Sequence, residues 1–517
     1  MTSPDVTIGD WLRIHARERG DQEFLVDPAA DVRLDYATVY ERVSRLASFL
    51  VERGIRHGDR VGVISVDNHQ FAEVLLATMS LGATVLPLNT RLVRREVDLF
   101  LSRGEARILF ADRRSLTRLE GITTSVPSIQ TVVALEADST GADLEYETVI
   151  AAGSPDIVWP QVRDDDIIRL SFTSGTTGEP KGVLQSHGML KRLANSVLVD
   201  RELTSRTFHY NGSPLYHVSG FSHLLAALAS GYRMLLLPAF NAPDLLYWLS
   251  EGGLTHCFLV PTMVSSLLQQ PGVEDRDYSQ VVAMGYGAAP MPPALLRQAM
   301  RVFGCDFLQI FGASEAGSQT ILGYEHHRRA LRGEEHLLGS IGKAAYSTEV
   351  KIVDENLDEL PPGEIGEIMS RGDVLMSGYL DMPEETAAAV VDGWFRSGDL
   401  GYRDEDGFYY LSGRKKDMMI RGGENIYPIE IESVLFEFPG ILEATVVGRP
   451  DDHWGEIVVA FLVVDWNDED REPELIAFLR EQLAPQKVPA QYVVVDELPK
   501  TSNGKIDKVA LRATFSA

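Results

Sequence analysis

The chain of 517 residues carries 75 acidic against 48 Lys and Arg side chains, a formal net charge of −27, with 44% hydrophobic and 24% charged residues. The length allows ~3 to 4 domain-sized units with large cores, and the composition is that of a globular protein. The acidity excludes nucleic acid and anionic membrane surfaces as general partners, so any polyphosphate must meet a locally positive site.

Met1-Thr2-Ser3-Pro4-Asp5 lacks the basic and then apolar regions of a signal peptide. The apolar run 224–237 is short and interrupted by Arg233, so no integral membrane segment is expected. The two cysteines, Cys257 and Cys305, sit in apolar runs and are expected to be reduced core residues of a cytoplasmic protein.

In chain order, residues 60–66 and 84–87 read as strands around a helical 71–80. From about 165 to 315 the pattern alternates: strands at 167–172, 208–214, 233–238, 257–261, 281–285 and 307–311, with helices at 219–229, 243–251, 262–269 and 292–303 between them. Such alternation predicts a largely parallel sheet covered by helices. The first ~400 residues therefore read as two packed α/β units. After Gly339 the segments shorten into hairpins, with turns at Leu360-Pro361-Pro362-Gly363 and Asp404-Glu405-Asp406-Gly407. From about Lys416, strands at 444–447, 457–464 and 492–495 and helices at 428–436 and 474–483 predict a small α+β domain.

The strand at 167–172 enters Thr173-Ser174-Gly175-Thr176-Thr177-Gly178-Glu179-Pro180-Lys181-Gly182. Flexible glycine backbone, four hydroxyls and one cation are suited to holding a polyphosphate. The spacing is not that of a P-loop, because Gly175 and Gly178 are too close and no Lys-Ser/Thr pair follows. A plain flexible linker has the same composition, but an apolar strand before the loop and an amphipathic stretch after His187 argue against one.

In an open parallel sheet, ligands bind beyond the carboxyl ends of the strands. There lie the Thr173 loop, Leu215-Tyr216-His217, Gly285-Tyr286-Gly287-Ala288-Ala289-Pro290 and Phe311-Gly312-Ala313-Ser314-Glu315, which are expected to converge on one edge. Glu315 supplies an oxygen suited to Mg²⁺, although a lone Glu or a Gly-Ala run is equally a surface residue or a turn.

With Trp394-Phe395-Arg396-Ser397-Gly398-Asp399, Gly413-Arg414-Lys415-Lys416-Asp417, Gly422-Gly423-Glu424-Asn425-Ile426-Tyr427-Pro428 and Pro499-Lys500-Thr501-Ser502-Asn503-Gly504-Lys505, these segments resemble, in order, the core motifs of the acyl-adenylate-forming superfamily. Within it the chain resembles the acyl-CoA ligase branch. The resemblance implies a large N-terminal domain (1–415) of two α/β sheet subdomains plus a small β subdomain, and a mobile α+β C-terminal domain (416–517). It also implies ATP, Mg²⁺ and CoA as reaction partners. A carboxylate would attack the α-phosphate of ATP, releasing pyrophosphate, and a thiol would then displace AMP from the acyl-adenylate.

Residue by residue, the resemblance implies that Thr173, Ser174, Gly175, Thr176, Thr177, Gly178 and Lys181 hold the phosphates. Gly287, Ala288, Ala289, Phe311, Gly312 and Ser314 would surround the nucleotide. Asp399 would accept the ribose hydroxyls, a carboxylate being the natural acceptor for a diol, with Arg414 reinforcing it. Thr173 and Glu315 would hold Mg²⁺, and Lys505 would bridge the incoming carboxylate and the α-phosphate. His217 resembles a gate for the carboxylate, although a lone His after a strand is also a common core residue. His217, Phe221, Phe258, Tyr286, Gly312, Gly317 and Ser318 resemble the lining of the acyl pocket. Lys416 stands at the hinge position, Gly422 and Gly423 along the thiol passage, and Trp454 near the nucleotide end of CoA.

Phe311 and Ser314 replace the family's commoner Tyr and Thr, keeping ring and hydroxyl. Within Gln486-Lys487-Val488-Pro489-Ala490-Gln491 only Lys487 is charged, where CoA-binding relatives often carry more cations, so an acyl carrier protein remains an alternative thiol donor. Aromatic walls with a small-residue floor suit a fatty, alicyclic or aryl acid, and no Asp stands where amino-acid-activating relatives bind an α-amine. Lys181, Glu315, Asp399, Arg414 and Lys505 together argue against a catalytically silent sensor.

Overall fold

A computed structural model describes residues 6–173, 180–422, 424–451, 453–466, 471–500 and 506–515. Two large sheets dominate it. The nine-stranded sheet runs, edge to edge, Lys343–Ala344, Gly317–Leu322, Asp306–Ala313, Ala283–Gly287, His256–Leu259, Phe208–Asn211, Arg233–Leu235, Glu23–Asp27 and Val32–Asp35. Its centre is parallel, and both ends close with antiparallel pairs. The eight-stranded sheet runs Gly378–Tyr379, Lys181–Ser186, Ile167–Thr173, Thr84–Leu88, Arg60–Ile64, Ala106–Ala111, Thr131–Ala134 and Leu144–Glu145.

Two helices packed between the sheets explain their near-continuous apolar sequences. His69–Ser80 buries eleven of its residues, all but Gln70, and Val218–Ser230 buries every residue from Gly220 to Leu228. Each starts at a side-chain cap, since Asn68 accepts from the Phe71 amide and His217 from the Ser219 amide. Gly231, at φ 81°, ends the second. These helices form one core with Tyr36–Glu52, His187–Asp200 and the sheet faces. Burying one Leu or Phe there stabilises by about 1.5–3 kcal/mol.

A third, antiparallel sheet joins Thr348–Val353, Gly366–Gly372, Trp394–Arg403, Tyr409–Arg414 and Val390–Val391. Its turns are the expected ones, with Gly363 and Gly407 at φ 87° and 83°. The fourth sheet gathers Met419–Arg421, Glu424–Ile426, Ile441–Asp451, Gly455–Val464 and Gln491–Val494 around its own core. The α/β architecture is as expected.

The partition of strands corrects the sequence reading in two places. Ile167–Thr173 does not open the sheet of the 208–313 strands but joins the eight-stranded sheet, antiparallel to Lys181–Ser186. Glu23–Asp27 conversely crosses into the nine-stranded sheet, parallel to Arg233–Leu235. Which sheet a strand joins depends on contacts remote in sequence, and local pattern carries no record of them.

Candidate active site

The Thr173 loop is the tip of a hairpin, with Thr173 paired to Lys181 across the antiparallel ladder. Ser174, Gly175, Thr176, Thr177 and Gly178 lie outside the described residues. The Lys181 ammonium sits 4.8 Å from the Tyr379 ring centre, and the Tyr379 hydroxyl donates to Glu315 Oε1 at 3.1 Å. The backbone of Glu315 is fixed as well, its carbonyl accepting from the Met376 amide at 2.7 Å. Burial pushes the Glu315 carboxyl above the usual carboxylate range, against the pull of Tyr379, Arg414 and Lys181. Lys181, Glu315 and Arg414 thus share one electrostatic neighbourhood. A buried carboxylate ringed by donors fits a hard cation that keeps its bond to phosphate oxygens.

Arg414 and Asp399 face each other across the hairpin of Trp394–Arg403 and Tyr409–Arg414. Arg414 Nε lies 3.0 Å from Asp399 Oδ1, and the Asp399 amide donates to Ser397 Oγ at 3.0 Å. The ion pair holds a carboxylate that is nearly covered, with Arg414 half-exposed beside it.

Gly287, Ala288 and Ala289 end the strand Ala283–Gly287, and the two alanines are exposed. A Cβ on Gly287 would stand 2.4 Å from the Ile310 carbonyl, and Ala288 itself takes φ 65°, so small residues are required at this rim. On the neighbouring strand the ladder shifts register between Phe311 and Gly312. A Cβ on Gly312 would lie 2.2 Å from the Gly317 carbonyl, and one on Gly317 would meet Val374 at 2.7 Å. Ser318 is buried beside them. The half-buried Phe311 ring packs against the core of the third sheet.

One side chain links the loops together. Arg169, fully buried in Ile167–Thr173, hydrogen-bonds Gln185 Oε1 and donates to the Tyr216 carbonyl at 2.8 Å. Gln185 Nε2 in turn donates to the Ser314 carbonyl at 2.8 Å. Burial with no carboxylate partner among the described residues lowers the Arg169 guanidinium to about 9, still cationic at neutral pH. The expected convergence is therefore real, but it joins the edges of two sheets rather than one. A charged residue inside an apolar strand run was the available signal for Arg169. Tyr379, in a two-residue strand, gave none.

On the acyl side, His217 caps its helix below Tyr216, and Phe258 packs 3.2–3.3 Å from where Cβ atoms at Gly285 and Gly287 would stand. Two expected pocket residues sit elsewhere. Tyr286 points to the opposite face of its strand, into the core under helix Pro293–Phe303, where its hydroxyl meets His327 Nε2 at 3.0 Å. Strand alternation puts Gly285 and Gly287, and not Tyr286, on the Phe258 side. Phe221 is fully covered within the helical core, its ring 4.6 Å below the Arg169 guanidinium.

In the last sheet, Gly422 takes φ 62° under the Trp454 ring and donates to the Trp454 carbonyl at 2.8 Å. Trp454 is 47% exposed. Arg421, which the sequence reading passed over, lies 5.8 Å from that ring, whereas Lys487 is engaged by Glu430 at 2.6 Å. Lys416 is exposed in the single turn Lys415–Asp417, and Arg512 pins Asp417 at 2.9 Å. Gly423 and Lys505 lie outside the described residues. Cys257 and Cys305 are unbridged, and burial pushes both thiols up. No helix among the described residues is long and apolar enough to cross a membrane.

The sequence matches the family of AMP-binding enzymes over residues 12–380 and the AMP-binding enzyme C-terminal domain over residues 430–505. It is 33% identical over 507 residues to an indoleacetate–CoA ligase of Aromatoleum aromaticum, covering 98% of this chain and 97% of that protein. It is 32% identical over 502 residues to a fatty acid–[acyl-carrier-protein] ligase of Streptomyces coeruleorubidus, covering 93% and 92%. The crystal structure of ATP-bound MatB from Rhodopseudomonas palustris superposes with a TM-score of 0.89 at 30% identity, covering 98% of this chain and 99% of that one.

Proposed function

This chain belongs to the AMP-binding enzyme family and is an ATP-dependent acid–thiol ligase of the acyl-CoA synthetase kind, and we propose which of its residues carry each step. The observation that carries the assignment is the joining of Lys181, Tyr379 and Glu315 to the Asp399–Arg414 pair in one cluster.

In the first step the acid's carboxylate oxygen forms a bond to the α-phosphorus while the bond to the bridging oxygen breaks and pyrophosphate leaves. Thr173 and Lys181, with Ser174, Thr176 and Thr177 of the hairpin tip, hold the departing phosphates. Asp399 accepts the two ribose hydroxyls, held in place by Arg414. Gly287, Ala288, Ala289 and the Phe311 strand flank the base, where backbone must come close to a flat ring. Thr173 and Glu315 hold Mg²⁺, which neutralises phosphate charge. Lys505 stabilises the charge that builds at the α-phosphate.

In the second step a thiol attacks the acyl carbon, the acyl–phosphate bond breaks and AMP leaves. Rotation of residues 416–517 about Lys416 withdraws Lys505 and brings Gly422 and Gly423 beside the thiol's path. Trp454 and Arg421 offer a stacking face and a cation for the nucleotide end of CoA. The acid is a medium or larger fatty, alicyclic or aryl acid, and the protein works in the cytoplasm. The resemblance to a carrier-protein ligase supports a second reading, in which the thiol sits on a carrier.

Pyrophosphate release across a panel of acids, repeated with CoA and with holo-carrier protein and with products read by mass spectrometry, tests both. Acid-dependent release of AMP and an acyl-CoA is expected. Acyl transfer to carrier with none to CoA would replace the first reading by the second, and absence of acid-dependent pyrophosphate would overturn adenylation.

A further inference from the structure

Behind Phe258 and Gly285 the acyl side continues into a small cavity lined by Arg201, His209, His223, His256, Phe258 and Gly285. Such a lining is unexpected in a pocket for a plain apolar tail, where a buried cation costs several kcal/mol unless it is paired.

Arg201 is 7% exposed, at the end of helix His187–Asp200. Its guanidinium hydrogen-bonds the His223 ring and lies 5.6 Å from the Phe258 ring centre, while its Nε has no partner. No carboxylate pairs with it among the described residues. Its neighbour Asp200 is turned away, accepting from the Tyr346 amide at 3.0 Å and from Ser196 Oγ at 2.9 Å. The two phenols nearby are also committed elsewhere: Tyr324 donates to the Arg201 carbonyl at 2.9 Å and Tyr232 to the His223 carbonyl at 2.7 Å.

The histidines add no charge of their own. His209 is stacked on His223 with ring centres 4.1 Å apart, and its buried Nδ1 has no partner. Burial and the Arg201 charge hold both rings well below the usual imidazole range, and burial lowers His256 to about 4. The cavity therefore presents one cation and unsatisfied ring nitrogen, with no anion.

The cluster is wired to the reaction end of the pocket. His223 Nδ1 meets the Ser219 carbonyl at 2.8 Å, and the Ser219 amide donates to His217 Nδ1 at 3.3 Å. His217 and His223 are six residues apart along one helix, about 9 Å along its axis.

We propose that Arg201, seated among His209, His223 and His256, binds a second carboxylate at the far end of the acid, so that the preferred substrate is an extended dicarboxylate or a carboxylated aryl acid. The inference rests on the ligase reading above. The second carboxylate supplies the counter-charge that Arg201 lacks, and the guanidinium holds a planar carboxylate through paired N–H donors. Phe258 and Gly285 accommodate the apolar middle. The other carboxylate is left near His217, where adenylation occurs.

The test uses matched acids, octanoate against suberate and phenylacetate against 4-carboxyphenylacetate, in pyrophosphate release. For the wild-type chain, kcat/KM is expected to be at least ~10-fold higher for each diacid, one decade per about 1.4 kcal/mol. Arg201→Met is expected to reverse the preference, raising KM for the diacid while sparing the monoacid, and Arg201→Lys to retain part of it. Because removal of Arg201 can also impair folding, the rise in Tm of the wild-type protein with each acid is read beside the kinetics, with suberate expected to stabilise more than octanoate. Monoacids turned over as well as or better than their diacid partners, with no larger Tm rise from the diacids, would overturn the proposal. Turnover of no acid at all would overturn the ligase reading and the proposal with it.

Discussion

Arg169 and Asp67 are buried charges that no counter-ion balances, and both hold the chain around Tyr216. Arg169 grips the Tyr216 carbonyl, and Asp67 accepts from the Leu215 amide at 2.9 Å. Arg169→Met keeps volume but orphans the Gln185 and Tyr216 oxygens, at about 1–3 kcal/mol each. Since misplacement by an ångström costs up to about 100-fold in rate, kcat for pyrophosphate release should fall ~10- to 100-fold with KM for ATP little changed. Wild-type kcat in a folded variant would refute the positioning role. Asp67 is pushed up to about 7 by burial. The native state therefore binds a proton that the unfolded chain releases near pH 4, and stability contributed by protonated Asp67 falls between about pH 4 and 7 and is level above. Asp67→Asn removes that slope. Denaturant melts should show the variant matching wild type near pH 5 and gaining on the order of 1–3 kcal/mol over it by pH 8.

Most elements were legible because period and punctuation agreed. The strands Ala283–Gly287 and Asp306–Ala313 and the helices Val218–Ser230 and Pro293–Phe303 lie within a few residues of their expected bounds. What the pattern did not reveal was pairing: that Ile167–Thr173 and Lys181–Ser186 form one hairpin, or that Tyr379 reaches Glu315 from a two-residue strand. Alternation likewise separated Tyr286 from Gly285 and Gly287 but could not say which face met helices and which met ligand. The motif residues could be read because each answers a local chemical need, and Arg201 could not, because its lack of a counter-ion exists only in three dimensions. At this scale Gly312 is decisive, since the register shift brings the Gly317 carbonyl against the place of its Cβ. Gly312→Ala should cost about 1–3 kcal/mol by overpacking and impair adenylation with every acid. An unchanged Tm would contradict this.

Across the whole molecule, the reading assigns the two half-reactions to two placements of residues 416–517. Lys505→Ala should abolish acid-dependent pyrophosphate release while thioester formation from supplied acyl-adenylate survives, and Gly423→Leu should do the reverse. Equal loss of both half-reactions in either variant would sink the division. The crossing of Glu23–Asp27 into the nine-stranded sheet has a separate consequence, for synthesis rather than catalysis. Its parallel neighbour Arg233–Leu235 lies more than two hundred residues downstream. The first segment made therefore emerges without a partner, and its loop closes only when nearly half the chain is present. A nascent fragment ending near residue 165 would leave Phe24 and Leu25, both fully buried in the finished protein, without their sheet. This enzyme must complete its N-terminal half late, and a chain stalled there would present chaperones with an unpaired apolar edge.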